Sequence, residues 1–278
     1  MQLPFASGDV PANPLDKPGY RLDFHDDFAG PSLDQTRWLP LYLPQWSSLE
    51  RSRPNYRLQN QSLILEITAD QQPWCPEFDG QTRCSSLQTG LFAGPLGSPH
   101  GQHRFNPACL VRETQPTLRT YTPQYGFFEL RAKGRFGPNN VVSLWMIGFE
   151  DRPEHSSEIA VMEIKGQNLG SDGFKLGYGV HPWADPTIRD EFFEDFVPIS
   201  SSDYHIYGVE WTPALIDFYL DNQKLRTIRQ SPTYPMQFML GIYEIAHQDG
   251  HSGAQSVQPY PKEFIIDYVR AYQPLAGY

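Results

Sequence analysis

Two glutamates five residues apart in an apolar run, Glu158 and Glu163 in Ser-Ser-Glu-Ile-Ala-Val-Met-Glu-Ile-Lys-Gly, are the residues of this chain best suited to chemistry. A buried carboxylate is costly unless it is paired or used, and Ile159, Val161, Met162 and Ile164 mark the surroundings as apolar. Side chains alternate along a regular strand, so an odd separation sends positions 158 and 163 to opposite faces. A β-bulge within residues 160–162 restores the parity and brings both carboxyl groups to one face. Such a pair can flank a single glycosidic bond. At about 5–5.5 Å one carboxyl acts as nucleophile while the other donates and then removes a proton, whereas a wider gap suits inversion. Spacing in sequence leaves both geometries open, and two solvated glutamates on a strand edge are the non-catalytic reading of the same segment.

The elements that must position the pair are short strands. The 278 residues include 22 Gly, 26 Pro, 17 Phe, 15 Tyr and 6 Trp, a composition that favours strands joined by turns over a helical bundle. Period-2 runs recur at 62–68, 125–133, 141–149, 158–165, 174–180, 204–211, 215–220, 224–229, 236–242 and 264–272. Phe128, Leu130 and Ala132 share one face of their run while Glu129, Arg131 and Lys133 share the other. Ile216, Phe218 and Leu220 repeat this before Asp221-Asn222, a dipeptide suited to a hairpin turn. Residues 1–19 are proline-rich and read as an extended arm, with one domain over residues 20–278. Residues 71–106 and 181–202 read as long irregular loops that wall a cleft.

Composition also narrows the partners. A formal charge of −10 argues against nucleic acid and against an anionic membrane, which are bound by concentrated Lys and Arg. A neutral ligand fits better, and exposed Trp or Tyr faces suit the C–H faces of sugar rings. Three cysteines, Cys75, Cys84 and Cys109, give no dense disulfide framework, although Cys75 and Cys84 could close a small loop. The first eleven residues show neither a basic n-region nor an apolar h-region, so no secretory signal is visible and the compartment is left open. His247 and His251 stand at a metal-ligand spacing, but Asp249 and Gly250 between them indicate a loop.

With its neighbours, the glutamate strand resembles glycoside hydrolase family 16, the laminarinase and lichenase type of β-glucanase. The family's bulged signature Glu-Ile-Asp-x-Met-Glu is matched by Glu158-Ile159-Ala160-Val161-Met162-Glu163 except at Ala160. Asp26-Asp27-Phe28-Ala29-Gly30 with Trp38, Tyr125 to Arg131 with Leu144-Trp145-Met146, Tyr204 to Pro213, and Ile266 to Tyr272 resemble its other landmarks in order. The resemblance spans roughly residues 20–272. It implies an all-β, concanavalin A-like jelly roll of two bent antiparallel sheets with glycan in the concave face.

It further implies retaining hydrolysis of a β-1,3 or β-1,3/1,4 glucan or a related galactan, with Glu158 as nucleophile and Glu163 as acid/base. Transglycosylation and a catalytically impaired glycan-binding jelly roll are the alternatives. Ala160 stands where the family places an Asp beside both glutamates, and Val141 where a Trp is common. Tyr243 is expected to stack on sugar and Glu244 to supply the carboxylate that Ala160 lacks. Trp145 is expected on the concave face, Trp183 as a stacking platform, and His181 as a donor to sugar hydroxyls near Glu163. No cofactor is expected for catalysis. A structural Ca²⁺, held by Asp27 and Asp267 with backbone carbonyls, is implied by relatives that carry one. The expected partner is a polysaccharide or oligosaccharide, bound by a monomer.

Overall fold

The computed structural model describes residue 5, residues 7–245 and residues 259–278, so His247 and His251 lie outside the described residues. The chain begins with β1 (Tyr20–Asp26), β2 (Asn55–Leu58), β3 (Leu63–Ile67), β4 (Arg83–Gln88), β5 (Gly90–Leu91) and β6 (Leu118–Arg119). It continues with β7 (Gly126–Arg135), β8 (Asn140–Gly148), β9 (Glu158–Leu169), β10 (Phe174–His181) and β11 (Glu191–Val197). Last come β12 (His205–Trp211), β13 (Ile216–Leu220), β14 (Gln223–Ile228), β15 (Met236–Glu244) and β16 (Lys262–Pro274). One α-helix, α1 (Pro76–Asp79), and one 3₁₀ helix (Pro44–Trp46) lie among the described residues.

Two antiparallel sheets pack face to face. One follows the order β14-β13-β12-β7-β16-β3-β2, with β1 on the same edge of β16 as β3; the other follows β11-β10-β9-β8-β15-β4. Phe128, Leu130 and Ala132 from β7 meet Val142, Leu144 and Met146 from β8 in the core between them, as their alternation predicts. The turn at Asp221-Asn222 is a tight hairpin: both residues have positive φ, 49° and 64°, and Leu220 pairs with Gln223 across it. Trp211 is buried, its indole donating to Ser231 Oγ at 2.9 Å.

The two segments expected to be irregular each contain a strand. β4 lies within 71–106 and β11 within 181–202. In β4 the sequence Arg-Cys-Ser-Ser-Leu-Gln is buried on both faces from Cys84 onward, so no polar and apolar alternation marks it. β11 is an edge strand with charges interleaved among Phe192, Phe193 and Phe196. Around β4, a smaller cluster of Leu43, Trp46, Trp74, Cys75, Cys84, Cys109 and Val111 packs onto Trp145, Ile147 and Met239, on the side of the sheet away from the main core. These loops roof one half of that face and leave a cleft over parts of β8, β9 and β10 beside it. All three thiols are free and buried, and burial pushes those of Cys75 and Cys109 up to about 12 and 11.

The N-terminal segment is extended and fastened across the outer sheet. Val10 N–H donates to Tyr204 O at 2.7 Å, and Arg131 Nε donates to Val10 O at 2.8 Å. Asn13 Nδ2 donates to Glu129 Oε2 at 3.0 Å, and Lys17 Nζ sits 3.5 Å from the Phe127 ring centroid. Glu129 is only 1% exposed, and Arg270 lies 3.6 Å from its other oxygen. Replacing the Asn13 donor with a second carboxylate puts like charges against a buried acid. Asn13→Asp is therefore expected to lower stability by about 1–3 kcal/mol at neutral pH, read from the urea midpoint. An unchanged midpoint means that the arm does not stabilise the sheet.

Candidate active site

β9 is paired on both sides, and both ladders slip at the same place. Against β8, Met162 faces Leu144 while Ala160 faces the next residue, Trp145. Against β10, Glu163 faces Gly177 and Ala160 faces Gly179. One residue of β9 is extra, and Val161 and its neighbour Met162 both enter the core. The bulge thus resets the alternation within residues 160–162. Glu158 lies opposite Ile147, Ala160 opposite Trp145 and Glu163 opposite Ser143, three β8 positions on one face of that strand. Both glutamates therefore face the cleft, a cavity of about 270 Å³ lined also by Trp145, His181, Trp183 and Tyr243.

Glu158 is the more buried of the pair, at 9% exposure. Its Oε2 accepts a hydrogen bond from Trp183 Nε1 at 2.8 Å. Burial is the largest influence on this carboxyl and raises its pKa from the ordinary 4.5 to about 8; the Trp183 hydrogen bond opposes the rise, and the nearby charge of Glu163 adds to it. Trp183 is half-exposed and holds a left-handed backbone with φ 46°. His103, with φ 51°, braces it, its ring centroid 4.7 Å from Trp183 and 5.1 Å from Trp145, both edge-on. Burial drives the His103 imidazole down to about 3, so it is neutral here. Two non-glycine residues in this region of φ,ψ beside one carboxyl are a local concentration of backbone strain of the kind found at functional sites.

Glu163 sits in a more polar corner. Lys165 Nζ lies 3.3 Å from Glu163 Oε1 and 2.9 Å from Glu194 Oε1 on β11. Burial acts to lower the Lys165 pKa, but the hydrogen bond and charge of Glu194 and the charge of Glu163 outweigh it and hold the ammonium above its ordinary range. On β10 the backbone comes close: a Cβ on Gly179, whose φ is +148°, would stand 2.2 Å from Glu191 O. Only glycine fits there, opposite Ala160.

The other sequence candidates divide. Trp145 lines the cleft and donates from Nε1 to Tyr243 Oη at 3.1 Å, so these two aromatic residues form one wall. Trp183 lines it as well, and its indole edge contacts an acid directly. His181 also lines it but pairs opposite Glu158, leaving Gly177 opposite Glu163; its Nδ1 lies 2.8 Å from Asp190 Oδ1 and its ring stacks on Phe192. Glu244 is displaced from the site. Tyr243 faces the cleft, and the next residue turns away, to Tyr260 Oη at 3.1 Å and Arg83 Nη1 at 3.4 Å, so Glu244 cannot stand in for a carboxylate at Ala160. Lys165 and His103 went unread in the sequence. Lys165 carries a signal, since after the bulge it shares the parity of Glu163; His103 carries none, because a loop brings it in.

The calcium expectation finds no assembled set of donor side chains. Arg131 Nη1 lies 2.8 Å from Asp267 Oδ2, supplying the positive charge that a cation would bring, while Asp27 accepts from Ala29 N–H at 3.3 Å. Arg131 is therefore a structural residue, 11% exposed as a side chain. Among the described residues no group of three or more His, Cys, Asp or Glu side chains is gathered to hold a metal ion.

Residues 109–264, more than half the chain and including both glutamates, match the model of glycosyl hydrolases family 16. The chain belongs to that family. A relative, the β-glucanase of Rhodothermus marinus, is 29% identical over 170 residues, 54% of this chain and 57% of that protein. The GlcNAcα1-4Gal-releasing endo-β-galactosidase from Clostridium perfringens superposes with a TM-score of 0.83 and 37% identity over 98% of this chain and 66% of that one. A laminarinase from Flavobacterium sp. UMI-01 shares the fold, with a TM-score of 0.62 and 18% identity over 91% of this chain and 100% of that one. The chain thus spans between about half and two thirds of the first two relatives. The all-β fold with two antiparallel sheets expected from the sequence is the fold of these proteins.

The Glu158 environment has a thermodynamic consequence. From about pH 4.5 to 8 the folded protein keeps a proton on Glu158 that the unfolded chain has lost, so this residue costs stability progressively as pH rises through that window. Glu158→Gln should therefore match the parent near pH 4 and exceed it by about 1–5 kcal/mol above pH 8, measured by urea unfolding. A constant difference across pH rules out the buried acid.

Proposed function

We propose that this protein is a retaining endo-glycosidase acting on internal β-galactosidic linkages of a glycan, with β-glucan as the competing substrate. The bulge that turns Glu158 and Glu163 to one cleft carries the reading. Relatives favour the galactoside: likeness to the endo-β-galactosidase runs over 98% of this chain at 37% identity, that to the β-glucanase over 54% at 29%.

In the first step the ionised Glu158 carboxylate attacks the anomeric carbon while Glu163 protonates the departing glycosidic oxygen, giving a glycosyl ester on Glu158. In the second, Glu163 removes a proton from water, which attacks the same carbon and releases Glu158. The indole of Trp183 positions the attacking carboxylate and favours its charged form. Ala160 faces the cleft between the two acids, and we read it as the replacement for the family's Asp, with Trp183 supplying the hydrogen bond to Glu158 from across the strand edge. One proton serves the pair, so the reactive form holds a single shared proton. In the empty cleft burial keeps it on Glu158; a glycan that covers Glu163 and offers hydroxyls to Glu158 favours its transfer to Glu163.

A glycan-binding protein without turnover is the second reading, favoured by the raised Glu158 pKa and the absence of an acid at position 160. Digestion of β-galactosyl oligosaccharides, agarose, laminarin and lichenan, with product sizing and NMR of the first anomer formed, separates the two. Internal cleavage with β-anomer released, lost by a factor of at least about 10³ in Glu158→Gln and Glu163→Gln, is expected. Tight binding with no products on any of these substrates overturns the hydrolase reading, and release of the α-anomer overturns retention.

The proton inventory gives a further prediction. kcat/KM should fall above about pH 8, where the pair loses its last proton. Trp183→Phe removes the hydrogen bond that opposes protonation of Glu158, so it should shift that limb to higher pH and lower the plateau about 10–100-fold. A lower plateau with an unmoved limb assigns Trp183 to packing alone.

A further inference from the structure

Beyond Trp183 and His103, which line both, the cleft adjoins a second cavity of about 410 Å³. Its walls are largely apolar, with Phe92, Pro99, Pro153 and the Trp183 ring. Most of its polar groups are already committed. Asp151 Oδ2 accepts from Arg119 Nη2 at 2.6 Å, Arg104 donates to Pro107 O, and Ser156 Oγ accepts from Ala184 N–H at 2.8 Å.

Glu150 differs from these. It lines the cavity at 7% exposure, and among the described residues a single hydrogen bond reaches its carboxyl, from His103 N–H to Oε2 at 2.6 Å. The group is held from behind: Glu150 N–H donates to Gln102 Oε1 at 3.2 Å, and Gln102 Nε2 donates to Gly148 O at 2.7 Å. Burial raises its pKa well above the ordinary carboxyl range. A neutral carboxyl that accepts the His103 N–H on one oxygen has an O–H on the other, with no partner among the described residues. An apolar chamber with a single fixed O–H donor complements a neutral acceptor carried beside a small apolar group. A plain hexose presents hydroxyls all round and leaves several of them unpaired in such walls. An acetamido substituent offers one carbonyl acceptor and one methyl.

We propose that this cavity is a subsite for an N-acetylated hexosamine, in which Glu150 donates to the acetamido carbonyl and Phe92 with Trp183 encloses the methyl and the ring face. The assignment rests on the glycan-cleaving reading of the adjoining cleft. It places the acetylated sugar next to the residue bound at Glu158, so such a unit is selected together with the bond to be cut.

Calorimetric titration of the intact protein with N-acetylglucosamine, glucosamine and glucose tests the subsite without using turnover. N-acetylglucosamine is expected to bind at least ten-fold tighter than glucose. That preference should fall to less than two-fold in Glu150→Leu and largely persist in Glu150→Gln, whose amide still donates, with circular dichroism reporting the fold of each variant. Equal binding of the three sugars by the parent protein, or tighter binding of glucosamine, overturns the proposal even if Glu150→Leu fails to fold. A preference unchanged in a folded Glu150→Leu overturns it also. Substrate digestion fails independently: no hydrolysis with the acetamido preference intact removes the hydrolase reading and supports the subsite, while hydrolysis without that preference does the reverse.

Discussion

One inserted residue governs the site. Val161 and Met162 both enter the core because that is where apolar side chains gain most, and the sheet accommodates them by bulging rather than by exposing either. The carboxyls on either side are brought to a common face as a result. Without the extra residue, one acid would be driven into the packed interior, where an unpaired charge is among the costliest groups a protein can hold. The energetics of the core and the geometry of the cleft are thus set by a single local event.

What lies around the pair then separates two chemically identical side chains. Glu158 is enclosed by Trp183, His103 and the strand, while Glu163 meets an ammonium at the rim. Desolvation raises the proton affinity of Glu158, and a difference in environment is the usual means by which two carboxyls come to hold different roles. The neutral His103 contributes shape rather than charge: it wedges two indoles and extends its backbone N–H to Glu150, so one loop residue couples the two cavities.

Strand periodicity made most of the sandwich legible, because a face that packs on a core must alternate. Ten period-2 runs correspond to observed strands within a few residues, and the bulge followed from requiring Glu158 and Glu163 to share a face. Where alternation fails, legibility fails with it: β4 is buried on both faces, and β11 mixes Phe and carboxylates at an edge. Tyr243 and Glu244 show the same limit at single-residue scale, since one step along a strand decides between cleft and rim. Trp183 was legible as a cleft aromatic but not as a donor to Glu158, and His103 was not legible at all, because loop paths depend on contacts with no sequence period.

The left-handed turns at His103 and Trp183 carry an evolutionary corollary. At both positions glycine would relax the backbone and would be favoured by selection for sturdiness alone. Yet glycine carries no ring, and the acid behind it would open to bulk water and revert to an ordinary surface glutamate. The polypeptide therefore keeps two uncomfortable conformations where a poorly hydrated acid must live, and improvement of one property there is bound to erode the other.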